Sequence, residues 1–221
     1  VGDTAHIRQG SKTIELTCKI TIELSETEFA IQSFGIPSEW TSISYKSEEE
    51  LAEKQRELRK QAANHGIKML QEGNKFIVDY EWVIDQSKKN LVDVARTIRN
   101  TARRNGYRSR RELVGAIASF SQSLDYRTPP DHRINIEGEK ILTAGAMMPL
   151  ETLTKRWGDC DSKSLLFASL VRSINLVDVC FIVMDKHLFA GIQITPEQGD
   201  DSIRFKGKDW VLVELSEAWP L

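Results

Sequence analysis

Beyond residue 88 the hydrophobic period of this chain changes once, and late. From about residue 88 the apolar residues recur at helical spacing through three segments, and from about residue 178 they alternate through three more, as strand residues do. Leu91, Val94, Ala95, Ile98 and Ala102 form the first helical stripe, with Asn105-Gly106 as its stop. Ser109-x-x-Glu112 is a capping box that opens the second helix, whose stripe is Leu113, Ile117, Phe120 and Leu124. A long connection marked by Pro129-Pro130 and Gly138 follows. Pro149 then leads into a short helical turn, and a third helix runs from about residue 160 to 174. Strands are expected at 178–185, 187–195 and 209–215. Helices first and strands afterwards, without alternation, is the pattern of an α+β fold.

The first 85 residues read differently. Within residues 11–45, Ile14, Leu16, Cys18, Ile20 and Ile22 fall on one face of an alternating stretch. Ser47-x-x-Glu50 opens a charged helix through about residue 64, with Glu48, Glu49 and Glu50 at its start and Arg59 and Lys60 near its end, as the helix dipole favours. Gly73-Asn74 supplies a turn before a strand from Phe76 to Ile84. The expectation is a β-rich region over residues 1–85 with one charged helix, and a second domain over 86–221.

Composition narrows the function classes. A chain of 221 residues buries about 70% of its unfolded surface and needs no disulfide or metal to fold. No stretch approaches the roughly 18 uncharged apolar residues of a membrane span. Thirty basic against 32 acidic side chains, a net charge of -2, argues against a dedicated nucleic-acid binder. One local exception runs from Arg96 to Arg111, where Arg99, Arg103, Arg104, Arg108 and Arg110 also fall and no acid intervenes. It reads either as a solvated helix face or as a docking patch for an anionic partner. Cys18, Cys160 and Cys180 make an odd set with no Cys-x-x-Cys pair, and His6, His65, His132 and His187 are widely spaced, so no metal or other cofactor is expected. Cys18 and Cys180 read as small apolar core residues. A chain that opens on Val1 with no leader pattern reads as a trimmed piece, and its compartment is not legible.

Chemistry concentrates around Cys160. In Arg156-Trp157-Gly158-Asp159-Cys160-Asp161-Ser162-Lys163-Ser164, the glycine allows a tight turn and the apolar periodicity begins just after, at Leu165. That puts Cys160 in the first turn of a helix, where unpaired N–H groups and the dipole stabilise a thiolate. The competing reading is a small side chain at a helix cap. Twenty-seven residues on, His187 opens a strand after the Asp185-Lys186 turn, on a face shared with Phe189, Gly191 and Gln193 that can line a cleft. Another 27 residues on, Glu214 shares a strand face with Trp210 and Leu212. A carboxylate there needs a partner, and an imidazole on the neighbouring strand supplies one. Structural readings remain open for both: a strand-end histidine, and a water-exposed or salt-bridged glutamate.

Gly158-Asp159-Cys160-Asp161-Ser162-Lys163-Ser164 with its Leu-rich helix resembles the nucleophile segment of bacterial transglutaminase-like proteins, a branch of the papain-like cysteine enzymes. Pro149-Leu150-Glu151-Thr152-Leu153 is similar to their lead-in, and the likeness spans roughly residues 88–218. Ser162, where the family commonly has an acid, and Leu188, where it has a small residue, depart from the pattern. The resemblance implies a papain-like, transglutaminase-type core, with helices packed on an antiparallel sheet. It implies a catalytic domain over 86–221 and a Cys160-His187-Glu214 triad acting on a peptide or protein amide through a thioester. The oxyanion donors it implies are the Cys160 N–H and an upstream group, for which Gln122 is the candidate; Trp157 would wall the cleft. Hydrolysis is the favoured outcome. The rivals are an amide-crosslinking acyltransferase and a non-catalytic module that binds a peptide or protein.

Overall fold

The computed structural model describes residues 2–9, 12–70, 75–185 and 187–217. A hairpin of β1 (Gly2–Gln9) and β2 (Lys12–Lys19) is followed by α1 (Leu24–Ser33), β3 (Ile36–Pro37), a 3-10 turn at Ser38–Thr41, α2 (Glu48–Ala63), β4 (Ile67–Met69), β5 (Phe76–Val78) and α3 (Tyr80–Ser87). Then come α4 (Val92–Arg104), α5 (Arg110–Gln122), β6 (Asp125–Tyr126), β7 (His132–Ile134), β8 (Lys140–Leu142), α6 (Pro149–Lys155) and β9 (Trp157–Gly158). The last elements are α7 (Cys160–Ser173), β10 (Val179–Met184), β11 (His187–Ile192), β12 (Ser202–Phe205) and β13 (Lys208–Val213). The architecture is mixed α+β.

α7 organises it. Every residue from Ser162 to Val171 is buried, and a helix closed to water on all sides must have neighbours on all sides. α3, α4, α5 and α6 surround it, and β11 presents the sheet. Leu166, Phe167, Leu170 and Val171 join α4, α5 and the inner face of the sheet (Ala190, Ile192, Val211, Val213) in one core, which Leu16, Cys18 and Ile20 also enter. Leu165 and Ala168 face a second core with Phe34, Ile67, Val78, Val83 and Ile84. Both cores draw residues from either side of residue 85.

The sheet is antiparallel, in the order β10-β11-β13-β12. β13 lies beside β11 although β12 precedes it in the chain. Its register sets Ala190 opposite Val213, which brings the start of β11 alongside the residues that leave β13.

Most elements expected after residue 88 form close to the expected bounds. The Ser109–Glu112 capping box is complete in both directions. Ser47 accepts the Glu50 N–H at 3.2 Å, but the Glu50 carboxylate turns to the Lys46 amide at 2.8 Å, one residue earlier than a closed box needs. β12 was not expected: all four of its residues are exposed, so this edge strand has no buried face to write an alternating signal.

The expectation of a β-rich region with one helix is corrected, because residues 2–87 hold three. Alternation stops at β2, and α1 follows with only Thr27 buried, too little to mark a helical stripe. Its last turn is tied instead by Arg133, a hundred residues away, whose guanidinium donates to the carbonyls of Ile31 and Phe34. The strand expected over Phe76–Ile84 ends at Val78. Asp79 accepts the Trp82 N–H at 3.3 Å and starts α3, in which Tyr80 and Trp82 continue the alternation by coincidence. The Gly73-Asn74 turn and Lys186 lie outside the described residues. Among the described residues, no helix is long and apolar enough to cross a membrane.

Leu170 is fully buried at the centre of the larger core. Leu170→Ala is expected to cost about 2–5 kcal/mol in urea unfolding. A loss under about 1 kcal/mol would mean that α7 is not the packing centre.

Candidate active site

Gly158 lets the chain enter α7. A Cβ there would sit 2.9 Å from Ser162 Cβ and 3.1 Å from Thr152 Cγ2, so only glycine permits this approach of β9 to the helix. Asp159 is the N-cap and accepts the Ser162 N–H at 3.0 Å. The Ser162 hydroxyl, fully buried, accepts the Met147 N–H at 3.2 Å and fastens the segment before α6 to the same turn. Cys160 follows as the first residue of the helix, 9% exposed.

His187 and Glu214 meet, as their spacing suggested. His187 Nε2 lies 2.6 Å from Glu214 Oε2, with side chains 30% and 14% exposed. The other oxygen, Oε1, accepts the Ser216 amide and the Ser216 hydroxyl, each at 2.6 Å. Burial pushes the Glu214 pKa up, but the Ser216 hydroxyl, the Ser216 amide and the imidazole outweigh it and hold the carboxyl below its usual value. With Glu214 ionised, Nε2 carries the proton it donates, and in the neutral ring the lone pair is then on Nδ1. Phe189 packs edge-on against the imidazole, centroids 4.4 Å apart.

The thiol donates to Asp161 Oδ1 at 3.5 Å, and the Leu188 amide, next to His187, lies close enough to Cys160 to draw its pKa down. Burial, followed by the Asp161 charge, pushes the thiol up to about 11; the Leu188 amide opposes this and Asp159 adds to it. The thiolate expected from the helix N-terminus is corrected on that point, since burial and two flanking carboxylates outweigh the dipole. Asp161 is itself held by Tyr80, whose hydroxyl donates to Oδ2 at 2.8 Å and whose ring packs edge-on against Phe181.

Gln122 reaches the same place, where its amide has a partner on the chain that carries the acid. Its Nε2 donates to the Glu214 backbone carbonyl at 2.7 Å, so the amide holds the chain that carries the acid. Trp157 sits in β9 beside Asp125, under the Lys155 ammonium. The cleft wall is made instead by Tyr126, Phe189 and Leu212, around a space of about 760 Å³ that His187 and Glu214 also line. Sequence reasoning missed Lys163, fully buried one helical turn from Cys160. A lysine in an apolar helix was the available signal. It missed Tyr80 as well, since nothing local links residues 80 and 161.

Elsewhere, Cys18 is buried as expected, whereas Cys180 is only half-buried. Within the arginine run, Arg111 is engaged by Asp200, Glu197 and the Thr195 carbonyl, while Arg103, Arg104, Arg108 and Arg110 are exposed. Among the described residues, no group of three or more His, Cys, Asp or Glu is placed to hold a metal ion.

No protein-family model, curated protein or solved structure matches this chain. The case for chemistry therefore rests on the geometry itself: a thiol at a helix start, an imidazole anchored by a carboxylate, and a cleft beside them.

Asp161 is the charge nearest the thiol. Asp161→Asn is expected to lower the pH midpoint of Cys160 alkylation by iodoacetamide by about one unit, roughly a tenfold gain in rate at a fixed pH below the midpoint. Peptide mass spectrometry reads it, with Cys18 and Cys180 as internal controls. An unchanged midpoint would show that Asp161 does not set the thiol's ionisation.

Proposed function

We propose that the chain is a cysteine-dependent amide hydrolase of the transglutaminase-like, papain-like kind, acting on a peptide or protein amide through a Cys160-His187-Glu214 triad. The observation that carries the reading is the 2.6 Å His187–Glu214 contact, with the next amide of the same strand near enough to Cys160 to lower its pKa. A central helix bearing the cysteine at its start, packed on an antiparallel sheet that carries the other two, is the arrangement such a core requires.

The resting thiol keeps its proton, so His187 works as a general base. Nδ1 takes the proton from Sγ as sulfur attacks the carbonyl carbon, and Glu214 offsets the charge that develops on the ring. The oxyanion forms at the first turn of α7, where backbone N–H groups have no intrahelical partner. Gln122 serves as second donor only if its amide serves Glu214 O and the oxyanion together. Collapse of the intermediate passes the proton from Nδ1 to the departing nitrogen and leaves a thioester. Water then adds to the thioester as His187 takes its proton, the C–S bond breaks to release the acid, and His187 returns the proton to the departing Cys160 sulfur. An amine in place of water would give the crosslinking outcome from the same thioester.

One observation favours a second reading. A thiol pushed up to about 11 is unreactive by itself, as a non-catalytic module that binds a peptide in the cleft would tolerate. The two readings diverge on incubation with a denatured protein mixture whose new termini are mapped by mass spectrometry. Hydrolysis predicts cleavage that falls about a thousandfold or more in Cys160→Ala and in His187→Ala, and substantially in Glu214→Gln. Cleavage that persists in Cys160→Ala, or retention of peptides without cleavage by the wild type, would sink the hydrolase reading.

A further inference from the structure

Lys163 is 0% exposed. Its ammonium donates to two backbone carbonyls at the end of α5, Leu124 O at 3.0 Å and Gln122 O at 3.2 Å. Capping those carbonyls does not by itself call for a buried charge, because a helix end at the surface can use water, and an ammonium deprived of water is costly. Burial indeed pulls Lys163 down to about 8, against the opposing pull of Glu214 and Asp125. The balancing charge nearest the chemistry is the triad acid.

Glu214 has its own need. The pairing of β13 with β11 ends at Val213, so the acid stands one residue beyond the ladder, where no β-pair holds its backbone. Its carbonyl is held by Gln122 Nε2 at 2.7 Å, and the backbone carbonyl of Gln122 is held in turn by Lys163 at 3.2 Å. A continuous path therefore runs from the nucleophile helix through Lys163 Nζ, Gln122 and the Glu214 backbone to the carboxylate on His187. Lys163 stands three residues after Cys160 on that helix, so both ends of the path are anchored to one rigid element.

We infer that Lys163 is a positioning residue: through Gln122 it fixes Glu214, and with it His187, at a set distance from the thiol on α7. This rests on the triad reading, and its test is chosen so that the two fail separately. The rate of Cys160 alkylation by iodoacetamide is measured from pH 6 to pH 12 for the full chain, with the thermal midpoint recorded alongside. Alkylation is a one-step displacement of iodide with no oxyanion, so an oxyanion role for Gln122 does not enter the readout.

Lys163→Met, nearly equal in length and unable to donate, is expected to move the labelling midpoint up by about one pH unit, about tenfold slower at pH 7. Glu214→Gln should move it equally, and the double variant no further, because both act on one path. Gln122→Met, at a half-buried position, should give the same direction and serves if Lys163→Met does not fold. A folded Lys163→Met or Gln122→Met with a lowered thermal midpoint and a wild-type labelling profile overturns the proposal, since that is what a purely structural lysine predicts. If His187→Ala shifts the profile while those two variants do not, the brace alone falls. If His187→Ala leaves it unmoved too, the triad falls with it.

Discussion

The closure of α7 to water is the constraint from which the site follows. A helix buried from Ser162 to Val171 can meet solvent only at its ends, so its first residue, Cys160, lies where the covering layers part. The sheet is one of those layers, and its register decides which side chains stand at that opening. Because β13 inserts between β11 and β12, the start of β11 and the exit from β13 share one edge, and His187 meets Glu214 there. A fold that did not bury this helix would have no reason to bring three residues so far apart in the chain to one place.

The electrostatics at that edge are divided by side. On the thiol side, Asp159 caps the helix and Asp161 accepts the S–H, both opposing a negative sulfur. The helix N-terminus favours a thiolate by only about 0.3–1 kcal/mol, whereas each pKa unit is worth about 1.4 kcal/mol. Burial and the carboxylates therefore win, and the proton stays on sulfur. On the imidazole side, Ser216 supplies two hydrogen bonds that keep Glu214 ionised, and the ionised acid selects the tautomer that leaves Nδ1 basic. The thiol donates to Asp161, and the imidazole is oriented by Glu214.

How much of this was legible follows from where each signal is stored. The Ser109 cap and the start of α7 just after Gly158 are written locally, and they form as read. The strand face of His187 and Phe189 is written in alternation against a buried row of Leu188, Ala190 and Ile192, and it too forms. The features that escaped have partners far away in the chain. α1 depends on Arg133, Asp161 on Tyr80, and the Gln122 amide on a carbonyl ninety-two residues on. Gln122 shows the same limit: its polarity and place near a helix end were readable, but not that its amide would meet the Glu214 carbonyl.

Tyr80 also alters the meaning of the first 85 residues. It belongs to α3, whose Val83 and Ile84 share a core with Leu165 and Ala168 of α7, so its hydroxyl is delivered to Asp161 by packing. With the thiol, Asp161 and Tyr80 hydrogen-bonded in sequence, the carboxylate beside the nucleophile is held by a residue from outside the segment that resembles the nucleophile region. The phenol is pushed well above its ordinary pKa, by burial first and the Asp161 charge second, so it remains a donor and pins the carboxylate through any pH at which the thiol titrates. Residues 2–87 therefore reach the surroundings of the thiol through this contact, and a boundary drawn at residue 85 on the pattern of elements divides a chain whose two cores draw on both sides of it.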